Sequence, residues 1–183
     1  MSDESALLRL NDLAERFPGD GLRRSDMEVI PASEVPLPYH QLLVHNGHMT
    51  ATLEAYHQCR LALGVRKVRH EGHDYSRKLV LRAGENGAVV MAGVMRIQLQ
   101  VCGEKVSHEI VAGETPLGRI LIENDVLRWI ETEAYVSVTM NSQLRSMFEV
   151  DDRYNKTYGR IARIICDHEP AVELLEIVAP ELL

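Results

Sequence analysis

Apolar residues recur at helical spacing over residues 4–16, and Pro18-Gly19 ends the run. A proline-rich connection follows through Pro31, Pro36 and Pro38. Residues 1–37 therefore read as an arm ahead of a core that occupies residues 38–183. A second helix is predicted from Thr50, a suitable N-cap, through Leu53 and Tyr56 toward His57. Residues 65–82 then read as two strand-like stretches and residues 88–101 as one long strand. Gly84-Glu85-Asn86-Gly87 between them signals a turn, which makes a hairpin. Residues 104–112 look helical, Gly113-Glu114-Thr115-Pro116 punctuates, and residues 117–123 look helical again. Three further β-prone stretches, 127–139, 158–166 and 171–178, are broken by a short helix or loop over 141–148. Helix, strands, helices, strands, with hairpin-length links, is the order of a single α+β domain with a largely antiparallel sheet rather than a parallel βαβ design.

Length and composition narrow the class. At 183 residues the chain can bury about two thirds of the surface its unfolded form exposes, so it needs no staple. Cys59, Cys102 and Cys166 are odd in number and widely separated, which suggests neither a disulfide framework nor a zinc knuckle and fits a reducing cytoplasm. The longest apolar run, residues 88–95, falls far short of the roughly 18–20 residues of a spanning helix, and residues 1–5 lack a signal-peptide pattern. No membrane partner is expected. A net charge of −7 opposes binding to nucleic acid or anionic lipid, so any anionic ligand must be held by individually placed arginines.

Three places break the pattern. In Arg77-Lys78-Leu79-Val80-Leu81, period-two alternation puts Arg77 on the face of Leu79 and Leu81; either the guanidinium sits where a core belongs or it snorkels to water from a strand end. Glu176 shares a face with Val172, Leu174 and Val178, so it is paired, protonated or lining a cavity, unless the strand is a wet edge. In Gly113-Glu114-Thr115-Pro116-Leu117-Gly118-Arg119, Thr115 suits an N-cap and Pro116 the first helical position. The Leu117 and Gly118 amides are then available to an anion, or else satisfied by the Thr115 hydroxyl. The eight histidines, His40, His45, His48 and His57 among them, lack the acidic or thiol neighbours of a metal site, and His48 and His57 read as helix-surface residues. No nucleophile elbow is present.

Five segments in order carry a resemblance over residues 38–180: Leu42-Leu43-Val44-His45-Asn46-Gly47-His48-Met49-Thr50 with Glu54, Ser76-Arg77-Lys78-Leu79-Val80-Leu81, Thr115-Pro116-Leu117-Gly118-Arg119, Tyr158-Gly159-Arg160, and Glu176-Ile177-Val178-Ala179-Pro180. Together they resemble the chorismate lyase (chorismate pyruvate-lyase, 4-hydroxybenzoate synthase) family. The resemblance implies an antiparallel sheet whose helical flaps enclose a pocket for a benzoate-like ring. It implies that Arg77 grips the ring carboxylate with help from the backbone amides of Met49 and Leu117, and that Glu176 is the family's essential glutamate at the ring hydroxyl. One departure stands out: where the lyases of the ubiquinone pathway carry a second arginine, this chain has Val94. Arg96, two residues on and on the same strand face, is the substitute to test.

The activity implied is a carbon–oxygen lyase that eliminates pyruvate from chorismate to give 4-hydroxybenzoate, with no cofactor and no metal. Aromatisation of the ring supplies the drive, and positioning in a dry pocket supplies the acceleration. Arg77 would hold one end of the dianion and Arg96 or Arg160 the other. Glu176 would act as base, acid or hydrogen-bond partner. The alternative is a non-catalytic module that binds an aromatic acid, since the same fold serves as the effector-sensing domain of certain transcription regulators. Against that, residues 1–38 are too short and too acidic for the helix-turn-helix such regulators carry. A third possibility is a related enzyme acting on another chorismate-like substrate.

Overall fold

A computed structural model describes residues 3–19, 21–85 and 87–181. Its elements are α1 (Asp3–Glu15), β1 (Met27–Ile30), α2 (Tyr39–Leu43), α3 (Met49–His57), β2 (Leu61–Glu71), β3 (Asp74–Ala83), β4 (Val89–Gln98), α4 (Glu104–Ala112), α5 (Leu117–Glu123), β5 (Arg128–Thr139), α6 (Ser142–Phe148), β6 (Lys156–Cys166) and β7 (Glu169–Val178). The seven strands form one sheet in the order β1-β5-β6-β7-β4-β3-β2, and every neighbouring pair is antiparallel. This is the α+β class that the chain's pattern predicts.

Alternation along the strands sorts the core into two layers. Tyr75, Leu79 and Leu81 of β3 and Val172, Leu174 and Val178 of β7 face a layer built with α2, α3, α4 and α5. Val80 of β3, Val94 of β4 and Leu175 and Ile177 of β7 face the opposite layer, which α1 and α6 cover with Leu10, Leu13, Leu144 and Phe148. The segment read as an arm is instead part of the fold. The α1 helix roofs one sheet face with Leu10 and Leu13 fully buried, and β1 pairs with β5 from Met27↔Val138 to Ile30↔Tyr135. Four-residue β1 and five-residue α2 are too short to leave a periodic signature. The hairpin expected at 84–87 joins β3 to β4; Asn86 lies outside the described residues, as do residues 1, 2, 182 and 183 of the expected division at 37/38.

No described helix is long and apolar enough to cross a membrane. The three cysteines are free thiols. Burial pushes Cys102 up to about 12 and Cys166 up to about 11, so both stay protonated and unreactive at neutral pH.

Candidate functional site

The cavity lies between the sheet and the N-terminal ends of α3 and α5. Its walls are Leu63, Leu79, Leu81, Met91, Met95 and Leu174, its roof is His48, Met49, Thr50, Pro116, Leu117 and Gly118, and its polar floor is Arg77 and Glu176. The space open to a water-sized sphere is about 30 Å³, room for a water or two. A ring-sized ligand must displace side chains to fit, and Met49, Met91 and Met95 are the flexible ones.

Arg77 stands at the middle of β3, opposite Val68 of β2 and Met95 of β4. It is 0% exposed, so it does not snorkel. Its Nη1 donates to the Ile110 carbonyl of α4 at 3.3 Å, while Nε and Nη2 are buried without a hydrogen-bond partner. Burial holds the guanidinium below its ordinary pKa, with the Tyr75 hydroxyl working against that shift. A buried cation with two unanswered donors costs several kcal/mol, and an anion in the cavity would answer both in the fork geometry that suits a carboxylate.

Glu176 is arranged differently. On β7 it sits opposite Arg160 of β6 and Gly93 of β4; Gly93 has no room for a side chain, since an added Cβ would lie 2.7 Å from the Leu175 carbonyl oxygen. Arg160 Nε donates to Glu176 Oε2 at 2.7 Å. The other Arg160 nitrogens donate to the carbonyls of His45 at 3.0 Å and Gly47 at 3.2 Å. Arg160, expected to bind the far end of a substrate, is thus already committed: it ties the carboxylate to the loop before α3. That loop is set by His45, whose Nδ1 accepts from the Gly47 amide at 3.0 Å while Nε2 contacts the Leu42 carbonyl at 2.7 Å. Burial and Arg160 both lower the pKa of His45, consistent with a neutral ring.

Arg96 is not at the cavity. It and Val94 face the α1 side of the sheet, where Arg96 donates to Asp74 Oδ2 at 2.9 and 2.6 Å and lies 3.8 Å from Glu173 and 3.9 Å from Asp12. The cavity-facing positions of β4 are Met91 and Met95, and the expected reach of Arg96 into the site does not occur.

Met49 and Leu117 both line the roof, one residue from the expected cap Thr50 and two from the expected cap Thr115, respectively. His48 rather than Thr50 is the N-cap of α3, and Pro116 rather than Thr115 that of α5; neither end carries a side-chain cap. Two residues of the site escaped the sequence reading. His48, read as a helix-surface residue, lines the cavity, and Arg128 at the start of β5 donates from Nε to His48 Nε2 at 2.7 Å. Glu54 of α3 accepts from Arg119 of α5 and from the Leu61 amide, so the two roof helices are tied together. Among the described residues no group of histidine, cysteine and acidic side chains could hold a metal.

No protein-family model matches the sequence, and comparison with curated proteins finds no sequence match. Solved structures do match the fold. PhnF from Mycobacterium smegmatis aligns with a TM-score of 0.53 at 10% identity, over 74% of this chain and 65% of that one. The effector domain of the same PhnF aligns with a TM-score of 0.53 at 10% identity, over 73% of this chain and 88% of that one. Gene product SA0254 from Staphylococcus aureus aligns with a TM-score of 0.54 at 7% identity, over 73% and 87%. The chain therefore spans about two thirds of the length of PhnF and most of its effector domain. The shared architecture is the chorismate lyase-like fold. The expectation of a lyase is corrected on this finding: the structures aligned above include PhnF and its effector domain, and neither is a chorismate lyase.

Proposed function

We propose that the chain is a non-catalytic ligand-binding domain that takes a small aromatic carboxylate in the cavity over Arg77. The observation that carries this reading is the pair of buried, unpartnered donors on Arg77 inside an apolar enclosure. A carboxylate restores the missing hydrogen bonds, and the Met and Leu walls accept the ring. The Arg160–Glu176 pair supports binding over turnover, because a carboxylate held by a buried guanidinium is a fixed acceptor for a ligand hydroxyl. The likeness to the PhnF effector domain supports the same choice. In this role 4-hydroxybenzoate is a ligand to test, and chorismate is not a substrate.

Thermal denaturation with benzoate and 4-hydroxybenzoate, run beside incubation with chorismate, tests the proposal. Both acids raise the midpoint of the wild-type domain in a concentration-dependent way and leave Arg77→Met unmoved, while chorismate yields no pyruvate. Pyruvate release above the uncatalysed rate, or stabilisation that survives Arg77→Met, would overturn it.

A further inference from the structure

The roof of the cavity holds a donor that neither the carboxylate grip nor the Glu176 pair uses. His48 caps α3 and lines the cavity. Its Nε2 accepts from Arg128 Nε at 2.7 Å, and a neutral imidazole that accepts at Nε2 carries its proton on Nδ1. Arg128 is itself fixed, since its Nη1 donates to the Val126 carbonyl at 2.6 Å. The free side of the ring turns toward α5, beside the Thr50 hydroxyl: a Cβ added to Gly118 would lie 3.2 Å from His48 Nδ1, 3.2 Å from Thr50 Oγ1 and 3.3 Å from His48 Cβ. Glycine at 118 leaves that nitrogen open where a side chain would crowd it. Among the described residues no hydrogen bond to His48 Nδ1 is formed. Burial, then Arg128 and Arg160, push the imidazole down to about 4, so the donor is uncharged at neutral pH.

We infer that His48 is a specificity residue of the cavity, donating from Nδ1 to an oxygen of the ligand, and that Arg128 is the positioning residue that fixes its tautomer. The inference rests on the reading of the cavity as a ligand site and adds a requirement to it. The ligand presents a carboxylate to Arg77 and an oxygen acceptor to the gap between the N-terminal ends of α3 and α5. A neutral donor there favours an acceptor without demanding a second negative charge. This separates aromatic acids by the position of their oxygen substituents and not only by charge.

Calorimetric titration of 4-hydroxybenzoate into wild type, His48→Leu and His48→Asn, together with nitrogen-detected NMR of the His48 ring, tests this. Asparagine places an N–H donor close to the Nδ1 position, whereas leucine keeps the bulk and removes the donor. His48→Leu weakens binding on the order of ten-fold and His48→Asn by less than about three-fold, the scale of one buried hydrogen bond. In wild type the ring shows the Nδ1–H tautomer, and the Nδ1 resonance moves on titration. Arg128→Leu abolishes the preference for that tautomer. Equal affinity of wild type and His48→Leu, or an Nε2–H tautomer in wild type, overturns the inference and leaves the cavity reading standing. Failure of wild type itself to bind 4-hydroxybenzoate overturns the cavity reading and this inference with it.

Discussion

A guanidinium without a carboxylate, 0% exposed and with Nε and Nη2 unanswered, is a liability to the empty fold. Arg77→Met fills similar volume with no charge to desolvate, so the variant is expected to be more stable than wild type by about 1–4 kcal/mol in urea denaturation. A destabilised Arg77→Met would mean that the arginine serves the fold rather than a ligand. The histidines carry a second consequence. Burial, as the largest cause, lowers the pKa of His45, His48 and His57 in the fold, His48 to about 4. Between that value and the ordinary value of 6.5 the unfolded chain binds protons that the folded chain does not, so stability rises with pH across this window. It is complete above the unfolded value and lost as pH falls from there toward 4. Urea midpoints are expected to drop from pH 7.5 to pH 5, with a shallower drop in His48→Asn; a flat profile would contradict the buried, neutral ring.

At the level of elements, alternation alone marked Arg77 and Glu176, because period-two geometry fixes which face a strand residue takes once the strand is recognised. It also misled at Arg96. Parity within β4 relates Arg96 to Val94 but does not say which parity of β4 matches Arg77 of β3; only the pairing Arg77↔Met95 decides that. His48 was illegible for another reason. A residue at a loop-to-helix boundary points where tertiary packing sends it, and its partner Arg128 is 80 residues away in sequence. Apolar spacing predicts a helix over 4–16 but not its place in the core, since an amphipathic helix announces an apolar face without naming what covers it. Its integral role predicts that Leu10→Ala and Leu13→Ala each cost about 2–5 kcal/mol. Losses below about 0.5 kcal/mol, the range of surface substitutions, would restore the arm.

For the whole molecule, the antiparallel sheet divides the labour between its faces. One face, under α1 and α6, packs a hydrophobic layer and keeps Arg96 in ion pairs with acidic groups. The other face, under α3 and α5, leaves a small cavity whose floor is an unanswered cation. In a chain of net charge −7 that buried cation is a local exception, so an anion bound there, as proposed, would be held by one placed side chain and not by the charge of the surface. Among the described residues that line the cavity the charged side chains are Arg77 and Glu176, and Arg160 holds Glu176. Isothermal titration of 4-hydroxybenzoate into wild type and Arg77→Met at neutral pH is the measurement that bears most directly on this account. Wild type is expected to bind at one site per chain and Arg77→Met at least about 100-fold more weakly, the scale of a truncated buried charge pair. Equal binding by the two proteins, or saturable binding at a site that Arg77→Met does not touch, would contradict it.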